Sequence, residues 1–143
     1  MMIMVLRHAD RLPDPQDGLT EAGHERARLL ARMLSKSGVT RAYCTKFTRA
    51  RQTLEPLKAM LGEALTVKPG NDTDETVQEV KSLPGDATIV IVGHSDTVPT
   101  IVEALGGGAI AAISPDEFDN LFILSRTSIN AAGMLKLKFG LAT

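Results

Sequence analysis

The chain has 143 residues, 43% hydrophobic and 23% charged, which is the balance of a folded, water-soluble domain and not of a disordered, fibrous or membrane-embedded one. Sixteen Lys and Arg against seventeen Asp and Glu leave a net charge of −1, so a chain that coats nucleic acid or an anionic membrane is excluded and any anion site must be local. One cysteine, Cys44, rules out an intramolecular disulfide and a thiolate zinc cage, and an apolar start that Arg7 interrupts is too short for a signal segment, so the expectation is one cytoplasmic domain over residues 1–143.

Residues 2–6 form a short, wholly apolar run bounded by charge, the pattern of a buried parallel strand. Residues 10–18, rich in Pro, Asp and Gly, read as a loop. Thr20 caps a helix that runs to about Ser35, with Ala27, Leu30 and Leu34 on one face and Gly38 past its end. A strand is expected over 39–45. Phe47, Ala50, Leu54, Leu57 and Leu61 then recur at helical spacing up to Gly62. Residues 65–68 read as a third strand and 72–82 as a helix with Val77 and Val80 inward. The run 88–92 is a strand. After it a helix over 95–105, capped by Ser95, tolerates Pro99 in its first turn and stops at Gly106-Gly107-Gly108. Residues 120–126 and 134–139 pattern as two strands around an Ala131-Ala132-Gly133 turn. The alternation predicts an α/β fold: a three-layer sandwich with a mainly parallel sheet, helices on both faces and a C-terminal β-hairpin. In such sheets ligands bind outside the carboxyl ends of the strands, where His8 and His94 fall; His24, inside the first helix, does not.

Two nucleophiles fail on spacing. Gly93-His94-Ser95-Asp96-Thr97 lacks the final glycine of a serine nucleophile turn, and no histidine follows His94 to serve Ser95. From Cys44 the five-residue gap of a cysteine phosphatase loop lands on Ala50, between Arg49 and Arg51, and the intervening segment has no glycine to wrap a phosphate. Arg7, His8, Arg49 and His94 remain. Two imidazoles at strand ends, one guanidinium beside the first and another in the first turn of a helix that starts at the same edge, make a phosphoryl pocket.

Leu6-Arg7-His8-Ala9, Leu19-Thr20-Glu21-Ala22-Gly23, residues 43–53 (Tyr43-Cys44-Thr45 through Arg49-Ala50 to Gln52-Thr53) and Val92-Gly93-His94-Ser95 occur in the order of four blocks of the histidine phosphatase (phosphoglycerate mutase-like) superfamily, which the chain resembles. Ala9 stands where that family usually has glycine, and Cys44 and Phe47 stand in the segment where it usually has serine and proline. The resemblance implies that His8 is the nucleophile that becomes phosphorylated, that Arg7, Arg49 and His94 bind the phosphoryl oxygens, and that neither metal nor other cofactor is required. Adjacent arginines keep His8 deprotonated, and transfer then depends on positioning and charge stabilisation.

The general acid is fixed by no motif. Asp10, nearest His8 in sequence, Asp72, Asp74, Glu75 and Asp96 are the candidates. The leading expectation is a metal-independent phosphatase acting on a phosphomonoester or a protein phosphohistidine, its partners being a phosphorylated small molecule or a phosphohistidine protein, with no nucleic acid and no membrane. The alternatives are a non-catalytic phospho-ligand binding module and a phosphoglycerate-type mutase; residues 62–86 leave little room for the lid a mutase needs.

Overall fold

The computed structural model describes residues 1–127 and 131–143. Its strands are β1 (Met2–Arg7), β2 (Arg41–Cys44), β3 (Thr66–Pro69), β4 (Thr88–Gly93), β5 (Asn120–Arg126) and β6 (Ala131–Lys138), in one sheet of order β3-β2-β4-β1-β5-β6. The pairs β3–β2, β2–β4 and β4–β1 are parallel, while β1–β5 and β5–β6 are antiparallel. The helices are α1 (Glu21–Leu34), α2 (Thr48–Leu61), α3 (Thr73–Lys81) and α4 (Thr97–Ala104), with a single 3-10 turn at Gly62–Ala64.

Strand side chains alternate between faces, and each face has its own core. Met4, Leu6, Ala42, Cys44, Val90 and Val92 pack under Leu30 and Leu34 of α1 and Leu54 and Leu57 of α2. Ile3, Val5, Tyr43, Ile89 and Ile91 pack on the opposite side under Val77 and Val80 of α3 and Val98, Ile101 and Val102 of α4. This is the expected three-layer sandwich, and the double coverage explains why β1 and β4 are apolar at every inner position instead of alternating.

Several boundaries differ from the sequence reading, β2 among them, which covers Arg41–Cys44 and not 39–45. Ala131, Ala132 and Gly133 are the first residues of β6, not a turn; small residues read as a turn by composition, but the ladder from Asn120 to Arg126 continues across them with a register shift at Ser125/Arg126. The connection between the two strands lies outside the described residues. In α4 the N-cap is Asp96 and not Ser95, and the hydroxyl serving that turn is Thr97, which accepts from the His94 N–H at 2.9 Å. β3 ends on Pro69, tolerated because β3 is an edge. No helix among the described residues is long and apolar enough to cross a membrane.

Candidate active site

β1 and β4 are neighbours in parallel register, with Arg7 opposite Gly93, so the residue after each strand emerges at the same edge. The His8 N–H donates to the Gly93 carbonyl at 2.9 Å, carrying the ladder one residue past the strand. This brings the His8 and His94 rings to 5.2 Å between centroids in an edge-to-face arrangement at 61°. Gly93 has a steric reason: a Cβ there would lie 2.8 Å from Thr97 Oγ1, the hydroxyl that fixes the turn carrying His94.

His8 is 2% exposed, and its Nδ1 lies 2.8 Å from the Ala9 carbonyl. A carbonyl only accepts, so the ring proton sits on Nδ1 and the Nε2 lone pair is left for chemistry. Burial, reinforced by Arg7, His94 and Arg49 and only partly offset by the Ala9 carbonyl, pushes its pKa down to about 3. His8 is therefore neutral throughout the physiological range. His94 Nε2 is hydrogen-bonded to Thr45 Oγ1 at 2.8 Å, and burial together with Arg49 lowers its pKa as well.

Two arginines complete the ring. Arg7, 8% exposed at the end of β1, donates through Nη1 to the carbonyls of Ser114 (3.0 Å) and Glu117 (2.9 Å), and its guanidinium carbon lies 4.1 Å from the centre of the Phe118 ring. Arg49, in the first turn of α2, donates through Nη1 to Asp17 and lies 4.4 Å over the Phe47 ring. In both side chains Nε is buried with no partner among the described residues. A buried orphan donor is costly, and both arginines that carry one line the cavity that the histidine pair also lines. Arg7, His8, Arg49 and His94 line one cavity of about 530 Å³ together with Arg11, Thr45, Lys46, Phe47, Asn71, Ser95, Asp96 and Thr97. The four residues singled out from the sequence do converge.

Residues 6–72 match the model of the histidine phosphatase superfamily, branch 1. That match takes in the Arg7-His8 and Arg49 segments, and the likeness of the chain to the superfamily rests on it. The protein histidine phosphatase SixA, solved with tungstate, superposes with a TM-score of 0.77 at 20% identity, over 96% of this chain and 97% of that one. YhfR of Bacillus stearothermophilus gives 0.72 at 16% identity, over 92% and 94%, and a mycobacterial glucosyl-3-phosphoglycerate phosphatase 0.65 at 14%, over 96% and 97%. The likeness to these structures is one of fold. A search of curated proteins finds no match.

The histidine phosphatase blocks acquire physical reasons. Gly23 of the Leu-Thr-x-x-Gly block lies where a Cβ would sit 2.1 Å from the Asp10 carbonyl oxygen, the atom that also accepts the Thr20 N–H at 2.9 Å; the loop after His8 passes too close to α1 for a side chain. Thr20 caps α1 as expected, accepting from the Gly23 N–H. Thr53 Oγ1 accepts the Ala9 N–H at 2.9 Å and donates to the Arg49 carbonyl at 2.8 Å, linking the two halves of the site. Ala9, in place of the usual glycine, is 1% exposed and packs with Leu19 and Ala27, and its φ is not positive, so alanine fits. Cys44 is buried with its thiol pKa raised by that burial, the state of a packing residue and not of a nucleophile.

The five candidate acids separate. The Asp10 carboxylate is turned to Arg26, with Oδ2 2.7 Å from Nε and Oδ1 3.3 Å from Nη2, and does not line the cavity. Arg26 is 3% exposed and also donates to the carbonyls of Phe139 and Leu141, so Asp10 serves a buried structural ion pair. Asp72 caps α3 by accepting from the Glu75 N–H, and neither it, Asp74 nor Glu75 lines the cavity. Asp96 does, at the N-cap of α4.

Sequence reasoning missed Asp17, whose carboxylate accepts from both Arg49 and, at 2.7 Å, the Thr48 N–H. Against burial, which alone raises it, those two donors hold its pKa below the usual carboxylate value. It also missed Arg11, Thr45 and Asn71 on the wall. Asp17 carries a faint signal, an acid just before the Leu-Thr cap in a loop otherwise made of turn residues. Among the described residues no group of three or more His, Cys, Asp and Glu is arranged to hold a metal ion.

Proposed function

We propose that the protein is a metal-independent phosphatase that works through a phosphohistidine on His8, hydrolysing a phosphomonoester or a protein phosphohistidine. One observation carries this reading: a buried, neutral imidazole with a free Nε2 lies beside a second imidazole and two guanidiniums whose buried Nε atoms have no partner among the described residues. Arg7, Arg49 and His94 hold the phosphoryl oxygens while His8 Nε2 attacks phosphorus in line. The P–O or P–N bond to the leaving group breaks, and its atom takes a proton that Asp96 supplies at the cavity wall. Water then attacks the phosphohistidine, with Asp96 accepting a proton, and inorganic phosphate leaves. The charge that a metal ion supplies in other phosphatases comes here from guanidiniums.

The fold shared with SixA supports a phosphohistidine side chain among the substrates. Residues 62–82 are taken up by the 3-10 turn, β3 and α3, so no lid segment arises there, which disfavours a mutase. The test is trapping: incubation with a labelled aryl phosphate followed by quenching is expected to leave an acid-labile, base-stable phosphoryl group on His8 in the wild type and none in His8→Ala. Arg49→Ala and His94→Ala are each expected to lower kcat by roughly 10²–10³. Equal turnover in wild type and His8→Ala would overturn the proposal, and tight phosphate binding without turnover would establish a binding module instead.

A further inference from the structure

In-line displacement at His8 places the leaving group on the far side of phosphorus, toward the cavity mouth. Among the described residues lining that cavity, Phe47 is the one whose side chain is carbon and hydrogen only, and it is 40% exposed. Its ring meets the His94 ring at 5.3 Å between centroids, in edge-to-face geometry at 78°, and His94 in turn meets His8 at 5.2 Å. The three rings step outward from the buried nucleophile to the surface. The guanidinium that grips the phosphoryl group on this side, Arg49, also stacks on Phe47, so ring and anion site share a wall.

The position is unusual for phenylalanine. Residue 47 is the N-cap of α2, where Ser, Thr, Asp or Asn supplies a side-chain acceptor, and Phe47 makes no such bond. Asp17, from a distant loop, accepts the Thr48 N–H in its stead. The capping role has been moved elsewhere and the position at the mouth carries a flat apolar face.

Resting on the phosphatase reading, we infer that Phe47 is a specificity-determining residue, a platform that selects substrates whose phosphoryl group is bonded directly to a planar ring, as in an aryl phosphate or an imidazole phosphoramidate. The His8 Nε2–P bond forms as the P–O(aryl) or P–N(imidazole) bond breaks; the bonding pair leaves on the aryl oxygen, whose charge the ring delocalises, or on the imidazole nitrogen, and is protonated from Asp96 or solvent. An alkyl phosphate gains neither the stacking nor the delocalisation.

The test uses non-hydrolysable ligands, so binding is read without turnover: calorimetric titration of the full chain with phenylphosphonate, methylphosphonate and inorganic phosphate. Wild type is expected to bind phenylphosphonate roughly threefold to tenfold more tightly than methylphosphonate, the factor an aromatic pair supplies. Phe47→Ser, which installs a good N-cap and so keeps α2, is expected to erase that preference, and Phe47→Leu to halve it or more. Equal affinities for the two phosphonates in wild type overturn the inference while leaving the phosphatase reading intact. So does a loss in Phe47→Ser that is the same for phosphate as for phenylphosphonate, since Phe47 would then only prop Arg49 and His94. If wild type binds none of the three, both fall together.

Discussion

Acidification gives a direct physical test of the nucleophile's environment. Folded His8 holds a second proton only below about 3, whereas in the unfolded chain its pKa is near 6.5. Between those values unfolding takes up one proton at this ring. The contribution to stability is thus complete above about pH 6.5 and is lost as pH falls toward 3, at ~1.4 kcal/mol per pH unit. At about pH 4.5, some two units into that window, the wild type should have lost about 2 to 3 kcal/mol through His8 alone. His8→Gln cannot titrate but keeps a neutral polar side chain of similar reach. Urea unfolding of both proteins at constant ionic strength, from about pH 7 to about pH 4.5, isolates the effect as a difference of slopes. His94, whose pKa is also lowered, titrates in the same direction in both and cancels to first order. Parallel stability profiles for the two proteins, differing by less than about 1 kcal/mol in their pH dependence, would refute the claim that the fold holds His8 neutral.

Asp17→Ala should lose the α2 cap, worth about 0.5–2 kcal/mol in thermal unfolding, and lower kcat by roughly tenfold or more as Arg49 loses its anchor. Asp17→Asn, which restores an acceptor for the Thr48 N–H but not the charge, should recover most of the stability and little of the rate; recovery of both would show that the carboxylate's charge is immaterial. Asp96→Asn is expected to slow hydrolysis of an alkyl phosphate by about 10²–10⁴ while p-nitrophenyl phosphate, whose leaving group needs no proton, changes by less than about tenfold; equal slowing of both would remove Asp96 as the acid. Gly23→Ala forces a carbon against the Asp10 carbonyl and should cost about 1–3 kcal/mol in denaturant unfolding, a substitution that would be harmless if the glycine were only a composition feature of the helix.

Much of the layer architecture is legible in the residues. Wholly apolar runs at β1 and β4 announce strands covered on both faces, and the spacing of Leu30, Leu34, Leu54 and Leu57 announces the helices that cover one of them. That β1 and β4 are neighbours is not written in either strand, because sheet order depends on which helices cross over which face. It is this adjacency that joins His8 to His94. Arg7 and Arg49 were readable since their side chains sit in recognisable blocks, whereas Arg11 on the same wall was not. The Ser114 and Glu117 carbonyls that hold Arg7 were not, because every residue has a carbonyl and only the tertiary path of the loop aims those two. Asp10 misled for the converse reason: closeness in sequence to His8 says nothing about direction, and its partner Arg26 comes from the far side of the loop.

The parallel junction of β1 with β4 spans most of the chain: Met2 aligns with Thr88, and the intervening stretch must lay down β2, β3 and three helices before the two histidines can touch. No local fragment therefore has any grip on an oxyanion, and a partly folded species is blind to it. On the proposed reading, phosphate in the medium is expected to act on the finished molecule alone and to raise the melting temperature with concentration by simple mass action. Contacts so distant along the chain also form late and slowly, so the moment at which oxyanion binding appears during refolding should coincide with completion of the sheet's centre.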